Sequence, residues 1–598
     1  MKKISILLAV TSFTFYLIHC TRAVSPKHEQ IRQLYISGIK ELKAKADRFF
    51  TLSSSADIDI ISLRNAFKDA RFAYKRIEFL SEYYFPTTSK AINGAPIPEV
   101  EADNPKYPVE PGGFQVIEEL IFADSVIRDT SYLVLQSSLL QDAIIRLEKT
   151  AESLLLTDAH IWDALRLELF RIETLGISGY DSPIAKLSLF ESAEILKSCI
   201  TYLLVYDQDK NNNYKKLTDA IQTSIRLLES NISFDNFDRA SFIRSHMNKV
   251  TSLLNETQTI TGIPYFTEPR PLAADASNLF DSKVWNAWYY STNYRKPDNS
   301  KLLEELGASL FYEPLLSGNN MRTCASCHIP EKAFTDGLTK NKSFDGKKVI
   351  LRNTPSILFS ALQPAQFADT RVSFLEDQAK QVIENPEEMH NNLKHAAQKI
   401  KKEKKYSNLL NKTFGTTEIG EIEIQTALAA FIRTKSSLNS RFDDYMNGDD
   451  HAVTATEIKG FNIFMGKAKC GTCHFMPLFN GTVPPNFLKI ETEVLGVPEK
   501  YSEPYRLDSD PGKFSIIASE PYKNAFKTTT VRNVEHTAPY MHNGSMKNLV
   551  DLLEFYNKGG GAGLGLHVTN QTLPSETLHL TKDEQSSLVA FMKSLSNR

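Results

Sequence analysis

A five-residue pattern occurs twice in this chain and limits what it can fold around: Cys324-Ala325-Ser326-Cys327-His328 and Cys470-Gly471-Thr472-Cys473-His474. Cys-x-x-Cys-His is the attachment signature of a c-type haem. Two thiols add across the porphyrin vinyl groups, and the adjacent imidazole takes the proximal face of the iron. The two copies use four of the six cysteines in 598 residues. A thioredoxin-type redox pair, half of a zinc site or a disulfide would each explain Cys-x-x-Cys, but none explains a histidine directly after the second cysteine in both copies. Two covalently bound c-type haems are expected, one on Cys324, Cys327 and His328, the other on Cys470, Cys473 and His474.

A chain of this length with 42% hydrophobic residues can bury three or four cores at about 150 residues each. Its net charge of −2 gives no footprint for nucleic acid. Residues 1–23 read as an export signal, with Lys2 and Lys3 ahead of the apolar run Ser5–Ile18. Cleavage after Ala23 gives a free periplasmic or exported protein, whereas cleavage before Cys20 gives a lipoprotein anchored at that residue. No other stretch is long and apolar enough for a membrane helix.

Residues 24–266 carry no haem motif and read as a helical bundle. Apolar residues recur at three- and four-residue steps in Ile61-Leu63-Ala66-Phe67-Ala70-Phe72-Ala73, in Leu133–Leu155 and in Ile195–Tyr206. Asp57 is the expected N-cap of the first of these helices, and Cys199 reads as a small buried hydrophobe. The segment Gly112-Gly113-Phe114-Gln115-Val116-Ile117-Glu118 resembles the Gly-x-His-x-x-Glu motif of imelysin-like helical domains, exported bacterial proteins linked to iron uptake. Gln115 stands where that family has histidine. The alternatives are a metal site at Gln115 and Glu118 that has lost its best ligand, or a glycine-led helix start feeding an apolar face. Residues 267–300 form an aromatic-rich linker holding Trp285, Trp288, Tyr289 and Tyr290, as packing or as an oxidisable relay near a haem.

The remaining half carries a second resemblance. Leu306-Gly307, the first haem motif, Phe334-Thr335-Asp336-Gly337, Arg352-Asn353-Thr354-Pro355-Ser356, Asn385-Pro386-Glu387-Glu388-Met389, the second haem motif, Val531-Arg532-Asn533-Val534 and Thr537-Ala538-Pro539-Tyr540-Met541-His542-Asn543-Gly544 follow one another. That order resembles bacterial di-haem cytochrome c peroxidases and the related di-haem enzyme that matures methylamine dehydrogenase. The resemblance implies cytochrome-c-like haem domains over 301–445 (peroxidatic) and 446–598 (electron-transfer), which with the helical bundle makes a mainly α chain.

It also implies roles. Glu388 aligns with the family's distal acid-base glutamate and Gln378 with its glutamine partner; a solvated carboxylate in a first helical turn is the alternative for Glu388. Tyr556 aligns with the second iron's other axial ligand, on a face shared with Leu549, Leu552 and Leu553. Met541 and Met546 are the thioether alternatives, and a core tyrosine with a satisfied hydroxyl is the structural one. Asn353, Thr537 and Pro539 align with the ligands of one calcium ion. Two departures stand out: residues 329–389 contain no histidine to block the first haem, and Ala368 aligns with the family's inter-haem tryptophan.

The activity implied is reduction of hydrogen peroxide at the His328 haem, with electrons entering through the His474 haem from a small c-type cytochrome or similar donor. A di-haem oxidase that modifies a partner protein and a purely electron-transferring cytochrome are the alternatives. Changing Cys324 and Cys327 together to Ala, or Cys470 and Cys473, should halve the covalent haem by pyridine haemochrome assay. Full loading in either double variant would remove that motif from the assignment.

Overall fold

The structure, a computed structural model, describes residues 26–598 except 102, 124–126, 208–211 and 231–232; the export segment with Cys20 lies outside the described residues. Helices dominate, and the named strands are the two-residue pair Thr492–Glu493 and Phe526–Lys527, antiparallel. Among the described residues no helix is long and apolar enough to cross a membrane.

The N-terminal bundle is built from long amphipathic helices, chief among them Pro26–Ser53, Ile60–Lys75, Thr130–Ala151, Asp158–Thr174 and Ser188–Tyr206. In the second of these Leu63, Ala66, Phe67, Ala70 and Ala73 are buried as their spacing requires, while Ile61 faces solvent. Its cap is Asp59 rather than Asp57, because the helix begins at Ile60 and the Asp59 carboxylate accepts from Ile61 N at 3.1 Å. Cys199 is buried among apolar side chains, and burial raises its thiol pKa.

The bundle interior also holds charge. Arg71 pairs with Glu191, and Lys75 reaches Glu78 and Asp181, each at 2.7 Å. Gln115 donates to the Asn93 carbonyl at 3.0 Å, while Glu118 accepts from Ile184 N and Ala185 N at 2.9 Å and faces the Arg71 guanidinium at 3.6 Å. The carboxylate of the Gln115/Glu118 motif is thus committed to two amides and a guanidinium, which already supply the positive charge a metal would bring.

Each haem domain is framed by a helix pair in which a glycine lets two backbones touch. Helix Ser300–Phe311 crosses Glu421–Arg433 at Gly307, where an added Cβ would lie 1.9 Å from the Ala427 carbonyl oxygen. Helix Ala455–Met465 crosses Lys582–Ser594 at Gly460, where it would lie 2.0 Å from the Ser587 oxygen. Leu438, Phe442, Tyr445 and Met446 pack in the second domain's core. That core is continuous with the bundle, whereas the first haem domain has its own.

Polar contacts fix the bundle on the second domain. Asn462 accepts from Ala240 N at 3.0 Å and donates to Asp238 at 2.9 Å; Arg244 donates to the Tyr445 and Gly448 carbonyls at 2.7 and 2.8 Å. The linker is a packed strap. Trp285 donates to the Leu279 carbonyl and sets its ring edge-on against Phe487, Tyr290 hydrogen-bonds to the Phe487 carbonyl, and Arg433 lies over Trp288.

Substituting Gly460→Ala should cost about 1–3 kcal/mol of overpacking, read as a lower urea midpoint. An unchanged midpoint would mean that the two helices do not meet there.

Candidate active site

The first motif starts on a single 3₁₀ turn, Cys324–Ser326, closed by reciprocal bonds: Ser326 N to Thr323 Oγ1 at 3.1 Å and Thr323 N to Ser326 Oγ at 3.0 Å. The turn leads to His328, whose Nδ1 donates to the Phe334 carbonyl at 3.0 Å. A carbonyl only accepts, so Nδ1 carries the proton and Nε2 keeps its lone pair for a metal. Burial lowers the His328 pKa, which keeps the ring neutral.

The second site repeats this logic. The turn Cys470–Thr472 precedes His474, whose Nδ1 lies 3.0 Å from the Thr529 carbonyl and 3.3 Å from that of Phe479. Burial pushes its pKa down to about 4. None of the four motif cysteines is in a disulfide, and burial raises the thiol pKa of Cys324 and Cys470 to about 12 and of Cys327 to about 11.

One cavity of about 1780 Å³ runs past both motifs. On the first side Glu388 and Gln378 line it. The helix Leu375–Glu384 carries Gln378 and ends at Asn385, so Pro386-Glu387-Glu388 forms a turn after a helix instead of the first turn of one. Asn385 Oδ1 accepts from Glu387 N at 2.9 Å and its Nδ2 donates to Glu388 Oε1 at 2.7 Å, which fixes the carboxyl. Burial raises the Glu388 pKa above 4.5, opposed chiefly by Arg371. Gln378 Oε1 is buried with no hydrogen-bond partner.

Between the two sides, Arg352 bridges Asp369 at 2.6 Å and Asp510 at 2.7 Å. Ala368 accepts from Lys527 N at 2.7 Å, which brings Phe526 alongside, and the Phe526 ring stacks on His542 with centroids 3.7 Å apart. Trp285 and Trp288, the sequence candidates for a relay, do not line this cavity.

A family model described as di-haem cytochrome c peroxidase matches residues 301–451. Cytochrome c551 peroxidase of Nitrosomonas europaea is 31% identical over 301 residues, covering 50% of this chain and 81% of that protein. The chain belongs to the di-haem cytochrome c peroxidase family. Methylamine utilization protein MauG of Methylorubrum extorquens is 32% identical over 291 residues, 48% of this chain and 77% of its own length. Among solved structures, a MauG-like protein associated with microbial copper homeostasis is similar at 26% identity, covering 52% of this chain and 92% of its own, with a TM-score of 0.45.

Members of this family carry two covalently bound c-type haems, and the site fits them. Both motifs open on one cavity, both histidines present a neutral Nε2, none of the motif cysteines is in a disulfide, and Gln378, whose side-chain oxygen has no partner, lines the same cavity. Cys324, Cys327 and His328 would hold the first haem; Cys470, Cys473 and His474 would hold the second.

Tyr556 and Met541 line the cavity, whereas Met546 is fully buried away from it. Burial, then the neighbouring Cys470 and Cys473, raise the Tyr556 pKa. Asn353, Thr537 and Pro539 also line the cavity; Asn353 Nδ2 donates to the Leu338 carbonyl at 2.7 Å.

Sequence reasoning missed three groups. Lys527, pushed down to about 8 by burial, donates to the Ala365 carbonyl at 3.1 Å. Glu491 and Glu493 line the second side, and Tyr180 reaches them from the bundle. No local pattern marks any of them, because their proximity to the haem motifs arises only in three dimensions.

Proposed function

We propose that this protein reduces hydrogen peroxide to water on the His328 side of the cavity, taking two electrons per peroxide, one at a time, from a small c-type cytochrome or similar donor through the His474 side, and two protons from solvent. The observation that carries this reading is the pairing of Glu388 and Gln378: a fixed, buried carboxyl of raised pKa and an unpartnered amide oxygen, on the cavity that His328 enters. The haems, when bound, supply electron exchange and a site for peroxide. Glu388 takes a proton from the near peroxide oxygen and returns it to the far one, so that the leaving oxygen departs as water. Gln378 orients the bound peroxide, and Arg371 limits the rise of the Glu388 pKa.

Tyr556 supports a second reading, oxidation of a partner protein. A phenolate is a harder, more electron-rich axial ligand than a thioether, so at the second iron it would favour oxidised states. Peroxide turnover with reduced cytochrome c separates the two. We extend the proposal to a calcium ion between the domains, held by Asn353, Thr537 and Pro539; the Asn353 amide nitrogen is engaged, which leaves its oxygen as the donor atom. We also propose that the protein acts after export, on the basis of residues 1–23.

Glu388→Gln should leave peroxide binding intact and slow oxygen–oxygen cleavage about 10²–10⁴-fold in stopped-flow measurements. An unchanged rate would remove Glu388 from the mechanism. Fully ferric protein should also react with peroxide within the mixing time, because no histidine lies in 329–389 and neither His160 nor His246 lines the cavity. A Soret band that moves only after one electron has been added would point to a blocking ligand.

A further inference from the structure

We propose that Tyr180 of the N-terminal bundle is a redox relay for the second haem, passing one electron toward the group held by His474 and its phenolic proton to the Glu491–Glu493 carboxylates. The bundle then becomes the face through which that haem meets its reductant. This rests on the reading that peroxide oxidises the di-haem centre.

Tyr180 follows the turn Gly176–Ser178, and Gly179 at φ 83° swings the chain toward the second haem domain. Its ring stands edge-on to Phe475 with centroids 5.7 Å apart, and Phe475 directly follows His474. It lines the same cavity as Cys473 and His474. Tyr180 and Phe234 are the bundle aromatics on that lining among the described residues, and of the two only a phenol can be oxidised at protein potentials.

The proton has a place to go. Tyr180, Glu491, Glu493 and Cys473 line the same cavity, and the charge of Glu491 beside the phenol raises the Tyr180 pKa. Burial and the charge of Glu493 push Glu491 up to about 8. Two like charges so close ionise one at a time, so the pair can hold one proton and still take another. The position is held by the fold, since Asn462 and Arg244 contacts fix the bundle on this domain.

The step balances. Tyr180 loses one electron and one proton to become a neutral phenoxyl, and a carboxylate gains the proton. Hydrogen peroxide is the oxidant, accepting two electrons and two protons to give two waters. A one-electron donor of the cytochrome class returns each electron to the phenoxyl, and the carboxyl returns the proton.

The test uses the full-length di-haem protein, treated with peroxide and freeze-quenched for paramagnetic resonance, with a parallel sample spin-trapped, digested and mapped by mass spectrometry. Wild type should give a radical signal that narrows with ring-deuterated tyrosine, and a trap adduct on the peptide containing Tyr180. Tyr180→Phe, which keeps the ring against Phe475, should lose both at unchanged haem content; Glu491→Gln should lower the radical yield. A radical undiminished in Tyr180→Phe, or an adduct mapped elsewhere in wild type, overturns the relay. A Soret change without a Tyr180 radical sinks the relay alone, whereas no Soret change sinks the peroxide reading and the relay with it.

Discussion

Both haem sites depend on a histidine Nδ1 tied to a backbone carbonyl. The bond costs little to form, but it selects one tautomer, fixes the ring and leaves Nε2 as the only metal-binding nitrogen. For His328 the partner is Phe334, six residues on, so the loop that follows the motif closes back on its own ligand. For His474 one partner, Thr529, comes from a distant segment, and the strand next to it carries Lys527 toward Ala368 of the first domain. The second ligand is therefore fixed by a segment of its own domain 55 positions away, and that segment also touches the first haem domain.

The same economy of space governs the frame. Gly307 and Gly460 place backbone against backbone at the crossings that precede each motif, so the motif turns start from a fixed point. Arg532 is buried with both guanidinium nitrogens on Asp443, at 2.9 and 2.6 Å, and donates to the Pro477 carbonyl at 2.8 Å. It joins the segment after the strand pair to the helix Arg441–Met446 and to the loop after His474. Removing one partner of such a pair would leave an unpaired buried charge, so its role is to hold a unique arrangement.

The bundle contributes more than a covering. Its core runs without a break into the second haem domain, and its polar edge supplies Tyr180 beside Glu491. Its internal Arg71, Lys75 and Arg171 neutralise carboxylates that would otherwise attract a cation. The Gln115/Glu118 motif thereby becomes part of a closed salt-bridge network, and the part of the bundle that faces chemistry is the loop after Gly179.

The sequence by itself determined the two haem attachment points and the helical character of the N-terminal bundle, and it left Glu388 between a family motif and a first helical turn. The signals that decided are local: a ligand spacing and a helical period can each be read within about a dozen residues. It misplaced one cap, because Asp57 and Asp59 are equivalent until the helix register is known. Only the tertiary structure decided that Trp285 and Trp288 pack away from the haem cavity, that Phe526 and His542 stack beside Ala368, and that the bundle joins the second haem domain. Those outcomes depend on contacts between residues more than a hundred positions apart, such as Ala240 with Asn462 and Ala368 with Lys527. Such contacts leave no periodicity in the chain, since they are set by which apolar faces remain to be buried once each helix has formed.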